Sequence, residues 1–375
     1  MKDCSTSTPT HIDHDKASTP SPAAATAFTS PILQNARKHK WFLEKLHSLG
    51  VTTPKPINAK SSVGSLIRYR DYWLPLVNDN PSKKLLPPPD IAWLWHCHRL
   101  APMEYQRYCQ QTFGVPPLEA NPPFTLQIDT QSEERLGEES EFPTMNEDIM
   151  ETNQLWEQKY PNQPFFLLTA NNDKEEDLPS LGNHEEIPSS SSPGSLLLSG
   201  FDLLGSTERQ AAFLWQVSGE YFDDDSFLHD GLTNYYRFLK LRPRAAASGI
   251  TLVPTYQIDL MWHTHILSSL QNYNSDCQNI MGSHLHHDDS LTDRSEGSLL
   301  NRSFMATQNL WKEAYDGAEY KVEGGMYRGE PPSEYFQHAA TGLWNPALAP
   351  SIENEEWIGL LGASSTSPAF TEWAE

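Results

Sequence analysis

The sequence predicts an all-α protein in which two tandem four-helix repeats pack as one duplicated helical unit. Three observations lead to this prediction. Apolar and aromatic residues recur at helical spacing in successive segments. The motif Trp-His-x-His occurs twice, at residues 95–98 and 262–265. The landmarks around the two copies follow in the same order, which is typical of an internal repeat.

Four helices are predicted in the first repeat. The first two cover residues 35–49 and 65–77, and Gly50 ends the first of them. The third begins at the prolines of residues 87–89, bends at Pro102 and ends at Gly114. Proline suits the first turn of a helix and disrupts its interior, whereas glycine suits the position after its end. The fourth helix covers residues 147–160.

The second repeat is predicted to follow the same order. Helices are expected over residues 206–217 and 231–241, then over the second Trp-His-x-His motif and around residues 307–315. The segment 307–315 has Thr, Leu, Trp and Tyr at the same spacing as the segment 152–160. We therefore expect matching core residues in the two repeats, namely Trp95, Tyr105, Cys109 and Trp156 in the first and Trp262, Tyr273, Cys277 and Trp311 in the second.

Composition divides the rest of the chain. A disordered tail is predicted over residues 1–30 and a flexible acidic and Ser-rich linker over 171–204, because these segments lack the apolar residues that build a core. The repeats then occupy residues 31–170 and 205–335, and a C-terminal tail covers 336–375. A turn-rich segment with Gly324 and Gly325 is expected to pack Met326 and Tyr327 back on the second repeat.

Charge and cysteine usage narrow the function. The 375 residues carry a formal net charge of −22, which repels phosphate backbones, so nucleic acid is not expected as a partner. The four cysteines form no CxxC pair, which indicates reduced thiols. The sequence shows neither a secretory signal nor an apolar run that would cross a membrane. A cytoplasmic location is therefore predicted.

The two histidines of each motif are predicted to point in different directions. Residues two apart on a helix are separated by about 200°, so one Trp-His-x-His helix does not aim both histidines at one ion. His98, and His265 by equivalence, falls among apolar residues and is expected to be buried. His96 falls on the polar side of its helix. A site would then have to form between the two copies or with the loop that follows the second.

The second copy carries further metal-ligating residue types. Asp259 lies four residues before His263, on the same helix face, and His287 and Asp288 follow the helix. This donor chemistry suits zinc, iron or manganese. The competing interpretation is structural, with the histidines acting as hydrogen-bonding wedges between helices. The chain contains no HExxH motif, no spaced Cys/His quartet and no G-x-S-x-G motif, so no complete catalytic constellation is recognised.

Several motifs together resemble the glycine-rich domain-containing protein family. They are the two Trp-His-x-His motifs, Leu-Trp-x3-Tyr-Pro at residues 155–161, Phe-Leu-Trp-Gln-Val-Ser-Gly at 213–219, His-Asp-Asp at 287–289 and Gly-Gly-Met-Tyr-Arg-Gly-x-Pro-Pro at 324–332. The resemblance covers about residues 30–335 and implies a domain of unknown function. Some plant members carry glycine-rich and RNA-binding regions after this domain. Here there are 20 glycines and no glycine-rich tail, so that inference does not transfer.

Two functional hypotheses follow from the sequence. The first is a non-catalytic interaction or scaffold module that binds an unidentified protein partner. The second is a metal-binding protein or metal-dependent enzyme that uses zinc or iron and the four motif histidines, His96, His98, His263 and His265, with Asp259, His287 and Asp288. Enzymatic activity is not expected under the first hypothesis. Convergence of histidines from both copies would favour the second.

Overall fold

The computed structural model describes residues 20–52, 64–126, 146–166 and 198–337. Within these ranges the regular structure is helical and no β-strand is present, so the predicted all-α class is confirmed. No helix in the described ranges has the length and apolar character needed to cross a lipid bilayer. The predicted 1–30 tail, 171–204 linker and 336–375 tail lie largely outside the described residues.

The helices of the first half follow the predicted order. In chain order they are α1 (Pro22–Thr26), α2 (Ile32–Ser48), a π-helical segment (Arg68–Trp73) that runs into α3 (Leu74–Asp79), α4 (Pro89–Arg99), α5 (Pro102–Phe113) and α6 (Asn146–Lys159). The predicted third helix is two helices, α4 and α5. Pro102 begins α5 because a proline inside a continuous helix would remove a backbone hydrogen bond.

The second half contains α7 (Leu203–Gln210), α8 (Phe213–Val217), a 3₁₀ turn (Glu220–Asp223), α9 (Asp225–Ala247), α10 (Tyr256–Ser268), α11 (Leu270–Met281), α12 (Leu299–Ala314) and α13 (Ser333–Gln337). The predicted 206–217 helix is therefore two short helices. α10 and α11 are separated at Ser269, whose backbone is extended and whose side chain caps α11. Gly114 and Gly282 end α5 and α11 in the left-handed conformation.

Residues 20–30 are ordered, which corrects the predicted boundary of the tail. Phe28 stacks on Tyr235 with ring centroids 5.4 Å apart. The carboxylate of Asp276 accepts two hydrogen bonds from Thr29, at 2.8 Å from the backbone N–H and 2.6 Å from the hydroxyl. These contacts with the second half hold a segment whose composition alone suggested disorder.

Each half contributes one helix that packs on the Trp-His-x-His helix of the other half. α2, from the first half, packs on α10, and α7, from the second half, packs on α4. The Asn35 side chain donates to Ser268 Oγ across this contact at 2.8 Å. The halves are therefore not two separate bundles, although the predicted division into four-helix repeats stays a prediction.

The helix pairs α4–α5 and α10–α11 are built around the same hydrogen bonds. The Trp95 indole donates to the Tyr105 hydroxyl at 2.8 Å, and this hydroxyl donates to the carbonyl of Leu118 at 2.7 Å. In the second half the Trp262 indole donates to Tyr273 at 2.9 Å, and Tyr273 donates to the carbonyl of Leu285 at 2.8 Å. The eight residues assigned to the core from sequence are all buried: Trp95, Tyr105, Cys109, Trp156, Trp262, Tyr273, Cys277 and Trp311.

Candidate metal centre

The second histidine of each motif belongs to the core. His98 Nδ1 lies 2.9 Å from the Tyr69 hydroxyl, and His265 Nδ1 lies 3.1 Å from the Tyr235 hydroxyl. His265 Nε2 also contacts the carboxylate of Asp276 at 3.1 Å. These contacts engage both rings within the core. The structure therefore does not bring His98 and His265 together with the other proposed metal ligands.

The first histidine of each motif is also buried. His96 is 4% exposed and His263 is 1% exposed. The prediction that His96 lies on a polar face is therefore wrong. Its ring packs 5.7 Å from Phe42 of α2, measured between centroids. The helix pattern did not reveal this burial, because the covering helix comes from a distant part of the chain.

Three side chains that could each supply a metal ligand converge, namely Asp259, His263 and His287. The His263 Nε2 atom lies 2.8 Å from His287 Nε2 and 3.4 Å from Asp259 Oδ1. One ligand atom from each of the three residues lies within 4.8 Å of the others. Ligand atoms bound to one ion at about 2.0–2.2 Å are themselves separated by roughly 3 Å, so this spacing is compatible with a shared metal.

Two elements position these side chains. α10 places Asp259 and His263 one turn apart on the same face. His287 comes from the loop after α11, and the hydrogen bond from Tyr273 to Leu285 fixes the start of that loop. The other end is held by Asp289, whose carboxylate accepts hydrogen bonds from Arg209 Nε at 3.0 Å and Ser206 Oγ at 2.9 Å.

Burial determines the protonation states of the three candidate metal ligands. Desolvation lowers the pKa of His263 well below its usual value and lowers the pKa of His287 to about 4, so both imidazoles are neutral at pH 7. Desolvation raises the pKa of Asp259 to about 7, and the positive charge of Arg294 opposes that rise. The neutral imidazoles are already in the form that binds a metal cation, whereas Asp259 must give up its proton on binding, so metal affinity should rise with pH.

The hydrogen bonds of the three candidate ligands also indicate how well they could bind a metal. Within the described ranges, buried Asp259 Oδ1 has no hydrogen-bond donor, and a bound cation would satisfy it. The His287 ring donates a hydrogen bond to the backbone of Leu100, as metal-ligating histidines commonly do through their outer nitrogen. His263 Nδ1 has no such outer partner within these ranges, which departs from the usual pattern.

Asp288 lies away from this group although sequence reasoning included it. Its side chain is exposed, and its Oδ1 accepts a hydrogen bond from the backbone N–H of Ser290 at 2.9 Å. The inward-facing carboxylate of the His-Asp-Asp segment is Asp289, which binds α7. Adjacent loop residues point in different directions, so sequence proximity did not identify which one faces the interior.

Sequence reasoning missed His39. This buried histidine of α2 contacts the Thr264 hydroxyl through Nδ1 at 3.0 Å, and its ring centroid lies 5.1 Å from that of His96. The signal was available in the sequence. His39 lies three residues after Ala36 and four before Leu43, both buried, which places it within the apolar stripe of α2.

The corresponding region of the first half is a cleft with an empty volume of about 300 Å³, which includes space open to solvent. Ala92 and Ala120 line it together with His96. Ala92 lies four residues before His96, as Asp259 lies before His263. Ala120 lies two residues after Leu118, as His287 lies after Leu285. The first half thus carries alanines at the positions of two of the candidate ligands.

Comparisons with known proteins agree with the motifs. The family described as glycine-rich domain-containing protein-like matches residues 104–271. Glycine-rich domain-containing protein 2 of Arabidopsis thaliana is 31% identical over 80% of this chain, and glycine-rich domain-containing protein 1 of the same plant is 30% identical over 80%.

The chain spans about a third of the length of these curated relatives, at 35% and 34%. No solved structure matches the chain. The matched family region includes Asp259 and His263 and ends before His287. Residues 104–271 therefore match the glycine-rich domain-containing protein-like family, and the chain is similar to these two relatives over 80% of its length.

Proposed function

We propose that this chain is a metal-binding protein in which Asp259, His263 and His287 hold one divalent transition-metal ion. The observation that carries the proposal is the convergence of one donor atom from each residue within 4.8 Å in a largely buried position. The Asp259 oxygen that lacks a hydrogen-bond donor supports it further. Two neutral imidazoles and one carboxylate form a donor set that zinc and ferrous iron both accept.

This donor set leaves coordination positions for a further ligand. Three protein ligands with an open position are typical of catalytic rather than structural zinc sites, and two histidines with one carboxylate are typical of non-haem iron enzymes. When bound, the metal would supply Lewis-acid or redox chemistry. The protein side chains would hold the ion, and the aromatic ring of Phe213, 4.3 Å from the His263 ring, would limit water beside it.

Metal analysis of protein purified without a histidine tag tests the proposal. We expect about one equivalent of metal per chain, and loss of that metal in His263→Ala. The matched control is His96→Ala, which removes the equivalent buried histidine of the other motif and should leave the metal in place. Asp259→Asn provides a gentler variant, because it keeps the side-chain shape while removing the charge.

The results separate the two hypotheses drawn from the sequence. Loss of metal in His263→Ala and Asp259→Asn, with the helical circular dichroism signal retained, would support the proposed site. A folded protein that stays metal-free after incubation with zinc or ferrous iron would overturn it and favour an interaction module with a protein partner. Equal loss in His96→Ala with the helical signal retained would show that the site also depends on His96, which interacts electrostatically with His263. Equal loss with a reduced helical signal would indicate unfolding.

A further inference from the structure

One face of α10 leads from the protein surface to the proposed metal site. Tyr256, Asp259 and His263 follow at three- and four-residue spacing, so they share that face. The Phe213 ring lies beside it, with its centroid 6.3 Å from Tyr256 and 4.3 Å from His263. The Asp259 side chain is 17% exposed, whereas that of His263 is 1% exposed. Solvent therefore reaches the site from the Tyr256 end.

An exposed arginine lies at this end. Arg294 Nη2 donates a hydrogen bond to the Tyr256 hydroxyl at 2.9 Å, and the guanidinium carbon lies 4.1 Å from the centre of the Tyr327 ring. Its charge is felt by the Asp259 carboxylate. An arginine stacked on an aromatic ring keeps its planar set of donors oriented for a second partner.

The tyrosines around Arg294 are held by backbone structure. Gly325 accepts a hydrogen bond from the Tyr256 N–H at 2.8 Å, which ties the turn before Tyr327 to the start of α10. Gly324 has a φ of +75°, and a Cβ there would lie 2.2 Å from the Tyr221 side chain. This turn therefore requires glycine, and it delivers Tyr327 to the rim of the site.

Arg294 has donor capacity left for a ligand. Across the residues that the structure describes, no carboxylate lies within 4.0 Å of its guanidinium, although the chain carries 49 acidic residues. Tyr256 uses one of the five N–H donors of the guanidinium group. A planar guanidinium matches the oxygens of carboxylates and phosphates, and it binds both types of group bidentately.

We propose that the metal site takes a small oxyanionic ligand, with a carboxylate or phosphate group on Arg294 at the rim between Tyr256 and Tyr327. The ligand extends along the α10 face toward Asp259 and His263. This inference rests on the proposed metal-binding function. It assigns Arg294 a recognition role, in which the arginine selects the charge of the ligand.

Calorimetric titration of the full chain with inorganic phosphate in one arm and acetate in another tests this inference. Each titration is done on zinc-loaded and metal-free protein at constant ionic strength. We expect Arg294→Gln to weaken anion binding about tenfold. Arg294→Lys should weaken it less, because lysine keeps the positive charge but lacks the planar guanidinium that binds an oxyanion through two hydrogen bonds. Arg302→Gln is the matched control, since Arg302 is an exposed arginine on the neighbouring α12.

The outcomes distinguish this inference from the proposed function. Anion affinity that is unchanged in Arg294→Gln, or no anion binding in either form of the protein, overturns the oxyanion inference even when zinc binds. Absence of zinc uptake overturns the proposed metal site, and the metal-free titrations still decide whether Arg294 binds anions. A preference for phosphate or for acetate identifies which oxyanion the rim recognises.

Discussion

The helices α4 and α10 carry the same Trp-His-x-His motif but have different surroundings. In both, the tryptophan donates to a tyrosine hydroxyl that in turn donates to a loop carbonyl. Around His96 the equivalent positions hold Ala92 and Ala120. Around His263 they hold Asp259 and His287. The motif itself therefore builds a buried helix, and the residues added around it decide whether metal-ligating side chains converge there.

The polar side-chain pairs at equivalent positions beside these helices also differ, and here the charged pair lies in the first half. In the first half Arg68 Nε donates to the Asp90 carboxylate at 3.0 Å, with both side chains almost fully buried. In the second half the Asn234 amide donates to Gln257 Oε1 at 3.0 Å. The first half thus uses a buried ion pair for structure, whereas the second uses neutral amides there and places its acidic side chain at the candidate site.

The largest expected effect comes from making the second copy resemble the first. Asp259→Ala combined with His287→Ala should weaken metal binding by more than about 100-fold, because even the loss of an outer partner of a ligand costs 10–100-fold. Competition against a chromophoric chelator measures the affinity. His96→Ala should leave the affinity unchanged. Unchanged affinity in the double variant would place the metal elsewhere in the chain.

Removing one partner from each of these two polar pairs should change the stability by different amounts. Arg68→Ala leaves the buried Asp90 carboxylate unpaired and also removes the hydrogen bonds to the carbonyls of Pro164 and Phe165. We expect a loss of about 3–5 kcal/mol in the free energy of unfolding. Asn234→Ala breaks a neutral bond and should cost about 1–2 kcal/mol. Urea denaturation measures both. Equal losses would show that the buried Arg68 side chain and its partners matter no more to stability than the neutral amide pair.

The hydrogen bonds common to both halves should be similarly important in each. Tyr105→Phe leaves the Trp95 indole and the carbonyl of Leu118 without their partner, and we expect a cost of about 1–3 kcal/mol. Tyr273→Phe should cost a similar amount, because the bonds match. Denaturation of the metal-free protein is the suitable measurement. A much larger loss in one variant would contradict the equivalence of the two helix pairs.

The smallest expected effect is a change in pH dependence. Burial lowers the pKa of His98 to about 3, whereas a histidine in the unfolded chain titrates near 6.5. Between these values the unfolded chain binds one more proton at this position, so the free energy of unfolding falls as the pH falls. This residue contributes about 1.4 kcal/mol per pH unit.

Denaturation of His98→Gln between pH 6 and pH 5 tests this expectation. The variant should lose less stability than the parent over this interval, by about 1 kcal/mol, because the unfolded histidine is largely but not fully protonated at pH 6. His284→Gln, which changes an exposed histidine, is the control and should follow the parent. Identical slopes for His98→Gln and the parent would mean that His98 takes up its proton without unfolding the protein.

Helix periodicity and glycine positions were enough to predict much of the fold. The apolar stripes located the main helices, and Gly114 and Gly282 marked helix ends because both positions require a positive φ. Sequence reasoning also selected Asp259, because a carboxylate one turn before a histidine is a local relation. It did not identify His39, and it placed His96 on a polar face, because the packing of α2 is not a local property.

The sequence by itself determined the helical class, the two buried Trp-His-x-His helices and the separation of the two histidines within each motif. These are consequences of helix geometry, which acts over a few residues. Only the tertiary structure decided that α2 covers His96 and that the loop after α11 brings His287 to His263. Burial and convergence depend on which distant segments pack together, and the spacing of residues along one helix does not specify that choice.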